Sequence, residues 1–359
     1  MSNPPEFFPT ETRELSDAHA TEVRELADGD RFELRIAPVA KRLGASTLRM
    51  LAYNGSIPGP TLRVQQGASL YVNVVNDGDT EATVHWHGLR LDNRYDGTSQ
   101  TQPLVPLGGR FGYRIAFPDP GVYWYHPHVR EDYGQEMGLY GNIIVVPAEP
   151  LYAEPAYWPP VHRELTLMLD DILIEEGRIA PFHRAEANYA AMGRFGNMLL
   201  VNGEPTTSLS VRCGEVLRLY LTNSANTRVF NVALPGARMK LVGGDSGHYE
   251  REELVDAVVL APSERAVVDV LFERPGDLTL LHRTPHRAYS LGKIHVGEEL
   301  ARPALAPAFT RLRVKSGTRW SGGAEPGLEG HRVSEDRTDV GPSARGNEPR
   351  CLDGALPYR

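Results

Sequence analysis

Two cysteines in 359 residues, Cys213 and Cys351, are too few to build a disulfide framework. No apolar run approaches the roughly 20 residues that a membrane span needs, so no membrane partner is expected. The N-terminus, MSNPPEFFPTETRELSDAHATEVRELADGDRFEL, has neither a basic n-region nor an apolar h-region. It predicts no secretory leader and, by default, a cytoplasmic protein. Positive charge is also short, with 38 Lys and Arg against 46 Asp and Glu and a net charge of −8. That balance, with no basic cluster among aromatics, excludes a nucleic-acid binder that works by counterion release.

What fills the chain instead is short β-type segments: FELRIAPVA, TLRVQQ, SLYVNVVN, TVHWHGLRL, RFGYRIAF, GVYWYH and GNIIVVP. They are rich in Val, Ile, Leu and Tyr and are separated by Gly, Pro, Asn and Asp, the rhythm of a β-sandwich or barrel. After a Pro-rich linker the rhythm resumes with ELTLML, NMLLV, VLRLYLTN, AVVDVLF and LTLLH. GRIAPFHRAEANYAAMG, between the first two of these, is the one candidate helix or long loop.

The two halves repeat each other. Val64, Gly67, Leu70 and Asn76 recur as Val211, Gly214, Leu217 and Asn223, each pair offset by 147 residues, and an Asn-Gly turn (Asn54-Gly55, Asn202-Gly203) precedes each set. This predicts two copies of one all-β unit. The expected organisation is an N-terminal extension (1–24), a first module (25–148), a linker (149–160), a second module (161–298) and a tail (299–359). The last 45 residues hold eight Gly, six Arg and four Pro with no Ile or Phe. Such a segment cannot bury enough apolar surface to offset its chain entropy. The tail is therefore expected to be disordered, or to be out-of-frame sequence replacing a further module.

Against this background stand two histidine pairs, TVHWHG and YWYHPHV. In a strand, residues i and i+2 point to the same face about 6.6–6.8 Å apart, so His85 and His87 project together, as do His126 and His128. Imidazole suits copper, zinc, iron and nickel. Two such pairs face to face build a multinuclear site more naturally than a mononuclear one.

The stretch VHWHGLRLDNRYDG…TQPLVPLGGRFGYRIAF…GVYWYHPHVREDYGQEMGLYGNIIV resembles the first cupredoxin domain of multicopper oxidases, the laccase-like enzymes. LLVNGEP, GEVLRLYLTNSANTRVFNV and LAPSERAVVDVLF resemble that family's middle domain. The resemblance covers roughly residues 50–298 and implies two tandem cupredoxin-like Greek-key β-sandwiches. It also implies half the ligands of a trinuclear copper cluster, with His85 on the type 2 copper, His87 and His126 on one type 3 copper and His128 on the other. Asp96 matches an acidic residue that helps proton delivery, although a turn Asp before Gly would look the same. The implied reaction is oxidation of a small phenolic or metal-ion substrate, with O2 reduced to water.

The family's His-Cys-His triplet and HPxHxH motif are missing. Neither Cys213 nor Cys351 lies between histidines, and a blue type 1 site needs a thiolate with two imidazoles. Cys213 reads as a strand-end residue. In the second module the 147-residue offset carries the first His pair onto Val232 and Leu234, so that module reads as structural. His282 and His286 fall near the counterpart of YHPH with different flanks. His162, His183, His248 and His295 read as surface or capped residues, and Asp245 as a turn residue. The expectation is a partial copper cluster without a type 1 site and little oxidase activity from this chain alone, unless a separate chain supplies a Cys-bearing domain. The alternative is a non-catalytic cupredoxin module for copper binding or interaction.

Overall fold

A computed structural model describes residues 8–148, 156–182, 189, 192–245 and 247–314. These fall within one compact unit spanning 1–316, while 317–359, a second unit, lies outside the described residues. The described helices are short, the longest being Ala306–Thr310. No described helix is long and apolar enough to cross a membrane.

The first set of strands forms two facing sheets. One has the order Ser46–Tyr53, Arg31–Leu43, Ser69–Asn76, Arg110–Ala116; the other has Val23–Leu26, Thr61–Gln65, Gly141–Val146, Gly121–His126, His85–His87. Arg110–Ala116 shows why the chain folds so: Tyr113 and Ile115 are buried while Arg110, Arg114 and Ala116 are exposed, a two-residue alternation that suits one dry face. Leu34, Ile36, Val72, Val74, Tyr113 and Ile115 of one sheet meet Leu62, Val64, Trp86, Tyr125, Ile143 and Val145 of the other.

A second sandwich follows. Six strands run in the order Met198–Val201, Arg163–Ile172, Val216–Asn223, Arg265–Leu271, Arg238–Gly244, Gly247–Val255. Five more run Thr207–Cys213, Ala288–Leu300, Gly276–Arg283, Phe230–Ala233, Val258–Leu260. Its core sets Leu217, Leu219, Leu221, Val268 and Val270 against Val211, Phe230, Val232, Ile294 and Val296. The molecule is thus all-β, two sandwiches in tandem. The candidate helix or long loop begins with Arg178–Ile179, which pairs with Ile174–Glu175; most of the remainder lies outside the described residues.

The repeat has a physical meaning at two asparagines. Asn76 donates to the carbonyls of Thr80 (2.9 Å) and Val105 (2.8 Å) and accepts from the Gly78 N–H. Asn223 donates to Arg228 (2.7 Å) and Leu260 (2.9 Å) and accepts from the Ala225 N–H. The turn asparagines match too. Asn54 bridges the Arg35 N–H and Glu33 carbonyl, and Asn202 bridges the Met168 N–H and Thr166 carbonyl. Both sit at positive φ, 50° and 51°, which Asn tolerates better than most residues.

The outer face of the Gly121–His126 sheet is covered by the second sandwich. Trp124 and Tyr140 pack with Met168, Ile172 and Leu200, and Val122 and Ile144 pack with Trp158, Tyr220, Val242 and Val267. Residues 299–314 correct the expected disorder of the 299–359 tail. Leu300 ends a strand, Phe309 is buried against Val216 and Leu271, and Arg313 Nε binds Glu252 at 2.5 Å. Phe309 and Arg313 supply the apolar burial and the ion pair that hold residues 299–314, while residues 315–359 lie outside the described residues.

Asn76→Ala and Asn223→Ala each orphan three backbone groups in or near the core, at about 1–3 kcal/mol apiece. Each substitution is expected to lower unfolding stability by about 3 kcal/mol or more, and by similar amounts, in urea denaturation.

Candidate metal centre

Four imidazoles converge at the edge of the five-stranded sheet, where His85–His87 runs antiparallel to Gly121–His126. His85 stands opposite His126, and His87 opposite Trp124. Alternation does the sorting. Trp86, Tyr123 and Tyr125 point into the first core, which leaves His85, His87, Val122, Trp124 and His126 on the face turned to the second sandwich. His128 lies past the strand end, beyond Pro127, which has no N–H to give to a ladder. The His128 ring comes within 4.8 Å of the His85 ring, centre to centre, and the other neighbouring imidazole pairs lie at 5.4–5.6 Å. Trp124 stacks on His126 at 4.1 Å and 15°.

The hydrogen bonds fix which nitrogens are free. His85 Nδ1 donates to the Asp96 carbonyl (2.6 Å) and His126 Nδ1 to the Pro127 carbonyl (2.9 Å). Since a carbonyl can only accept, both rings carry their proton on Nδ1 and present a bare Nε2. His128 Nδ1 is held by Glu131 at 2.9 Å. Backbone or carboxylate partners on the far nitrogen are what orient metal-bound histidines. His87 is arranged the other way round, its Nδ1 facing His126 Nε2 at 3.3 Å.

These separations fit a metal. Two imidazoles bound at roughly 2.0–2.1 Å to one tetrahedral ion have nitrogens about 3.3 Å apart, the spacing between His87 and His126. Ligand nitrogens of His85, His126 and His128 all lie within 4.8 Å of one another. Protonation is tuned the same way, because a ligating imidazole must be neutral. Burial, then the charge of Arg265, then the neighbouring rings hold the His87 pKa down to about 3. Burial and the adjacent imidazoles push His126 well below the usual range, and burial lowers His85 despite its bond to Asp96. His128 alone is raised, chiefly by its bond to Glu131.

Asp96 closes a short 3-10 turn, Asn93–Tyr95, that Asp92 caps through the Arg94 N–H. Its carbonyl orients His85, and its carboxylate lies 3.5 Å from the same Nδ1 and is about one-third exposed. All five predicted site residues therefore meet here. Sequence reasoning missed Glu131, three residues beyond His128, and Trp124, two residues before His126 on the same face. It also missed Arg265, whose distance along the chain gave no signal.

Among the described residues, the other histidines do not join them. His282 stands opposite Val232, much as His126 stands opposite His85, but its Nδ1 accepts from the Asn231 N–H and its ring packs between Phe230 and Tyr289. His162 bonds the Pro303 carbonyl, His295 pairs with Asp277, and His248 packs edge-on to Tyr157. His183 and Cys351 lie outside the described residues. The Cys213 thiol donates to the Glu273 carbonyl at 3.2 Å.

Residues 38–150 match the family model for multicopper oxidases. The chain is 31% identical over 256 residues to the multicopper oxidase MmcO of Mycobacterium tuberculosis, covering 64% of this chain and 49% of that protein. Among solved structures it is similar to Lac15 from a marine microbial metagenome, at 34% identity and a TM-score of 0.63, covering 76% of this chain and 68% of the other. It also resembles a multi-copper oxidase of Pseudomonas thermotolerans, at 29% identity and a TM-score of 0.68, covering 79% and 66%. The chain spans about half the length of the curated relatives it matches. Both sandwiches share the cupredoxin-like fold of these neighbours.

The Asp96 turn is pinned by Gly97, whose φ is +84° and which lies so close to the Val84 carbonyl that a Cβ would collide with it. Gly97→Ala is expected to lower stability by about 2 kcal/mol or more and to weaken metal binding by freeing His85. Thermal unfolding of the metal-free protein and a copper titration check both.

Proposed function

Because the chain belongs to the multicopper oxidase family, whose members carry out copper-dependent oxidation, we propose that His85, His87, His126 and His128 hold copper as half of an oxygen-reducing cluster. The observation that carries this reading is the His87 Nδ1–His126 Nε2 separation of 3.3 Å, the bite of one ion, flanked by His85 and His128 with their far nitrogens already engaged. The resemblance assigns His85 to a type 2 copper, the His87–His126 pair to one type 3 copper and His128 to the other.

What copper supplies when bound is a sink for single electrons from a small phenolic or metal-ion substrate, with dioxygen as final acceptor and water as product. The chain's own residues do the rest. Burial of His87 and His126 under the second sandwich keeps these donors neutral, so protons do not compete for them near pH 7. Trp124 fixes the His126 ring by stacking. Asp96 holds a carboxylate beside His85 at the half-exposed side of the cluster, where it can take up a proton from solvent and pass it inward.

The module of residues 25–148 carries the ligands in this reading, and that of 161–298 covers them. Completion of the cluster, and a thiolate site to collect electrons, must come from polypeptide that these 359 residues do not include. The chain by itself then binds copper through four imidazoles and turns over little. This is also the behaviour of a dedicated copper-binding module, and the missing His-Cys-His triplet favours it as the second reading.

Copper retained per chain after loading and desalting is expected to fall by half or more in His87→Ala. Unchanged copper content would contradict the assignment. The copper-loaded wild type is expected to lack the strong visible absorption of a thiolate-bound copper; an intense blue colour would rule out a cluster without a thiolate site.

A further inference from the structure

Arg265 is a buried cation that the proposed copper site does not explain. Its side chain is only 4% exposed. It begins the strand Arg265–Leu271 and shares a face with Val267, which packs on Val122 and Ile144 of the first sandwich. The guanidinium is held by the carbonyls of Ser263 (3.1 Å) and Asp245 (3.3 Å) and lies 3.4 Å from the Val122 carbonyl. Its ion-pair partner among the described residues, Asp245, at 2.9 Å, is 45% exposed. Asp245 also accepts from the Arg265 N–H at 2.7 Å.

That guanidinium also rests on Gly88, the residue after His87. Gly88 has φ +87°, and a Cβ there would collide with Arg265. The other wall of the contact is Tyr123, whose ring a Gly88 Cβ would meet at 3.2 Å. A positive charge is thus packed on the turn that ends HWHG, with its counter-charge on the half-exposed carboxylate of Asp245.

Burying a guanidinium with one half-exposed partner is unfavourable in itself. Beside imidazoles that gather cations it also opposes the ion to be bound. That opposition is not equal for the two oxidation states, because a fixed positive charge repels Cu(II) about twice as strongly as Cu(I). We propose that Arg265, although part of the second sandwich, is a positioning residue that braces the His87 turn and biases the His87–His126 copper toward Cu(I). Asp245 tempers the bias by partly neutralising the guanidinium. The covering module thereby sets an electronic property of the site it covers. The inference rests on the copper reading of the four histidines.

The test is a pair of competition titrations on the full chain, Cu(I) against a cuprous chelator and Cu(II) against a cupric one, for wild type, Arg265→Gln and Asp245→Asn. The expected ratio of Cu(I) to Cu(II) affinity falls about tenfold in Arg265→Gln. It rises in Asp245→Asn, where the amide oxygen can still accept from the Arg265 N–H. Equal changes in both affinities, leaving the ratios at the wild-type value, would overturn the proposal and reduce Arg265 to packing. If Arg265→Gln does not fold, the direction of the Asp245→Asn ratio decides alone. Wild-type copper that His87→Ala does not displace would overturn the copper reading and this inference together, whereas displaced copper with unmoved ratios overturns the inference only.

Discussion

The strand Gly121–His126 is apolar on both faces, and the rest of the molecule is arranged around that constraint. Tyr123 and Tyr125 fill the first sandwich, while Val122 and Trp124 on the other face pack against residues of the second sandwich, Trp124 also against Val39, Leu43 and Met50 of the first. At roughly 25 cal/mol per Å2 of apolar surface, an exposed Val-Trp face cannot be left uncovered without loss, so the two sandwiches are joined by necessity. Joining them buries the ends of the imidazole rows. Burial is the first cause of the low His126 and His87 pKa values, followed for His87 by the charge of Arg265.

A consequence is that the second sandwich is more than a spacer. Its backbone repeats the first through Asn76 and Asn223, yet its own counterpart of the metal face carries Val232 opposite a His282 that is locked to the Asn231 N–H. One histidine without a facing partner makes a core residue; two facing pairs make a site. The two copies share a fold in which equivalent asparagines satisfy backbone groups in the same way, and both His-x-His pairs lie in the first copy.

Much of this was legible in the sequence because period-two alternation is a rule about direction. HWH and HPH could be placed on shared faces, and the repeated Val-x-x-Gly and Asn turns marked two units. Legibility ended where function depends on contacts between distant segments. Arg265 reads as one of several strand-end arginines until the tandem packing sets it on Gly88. Asp96 could be read from the sequence as an acidic or turn residue, but its contact with His85 is made by its carbonyl, which no side-chain motif announces. Residues 299–314 misled for a related reason: Phe309 and Arg313 find a groove and a carboxylate on the second sandwich that local composition does not reveal.

In the proposed reading the inner ends of these four imidazoles form one copper cluster. X-ray absorption at the copper edge of the copper-loaded full chain tests it most directly. The expected first shell contains imidazole nitrogens and no sulfur, with the imidazole signal reduced when His87 and His126 are replaced together. A sulfur ligand, or an imidazole signal indifferent to that double replacement, would contradict it.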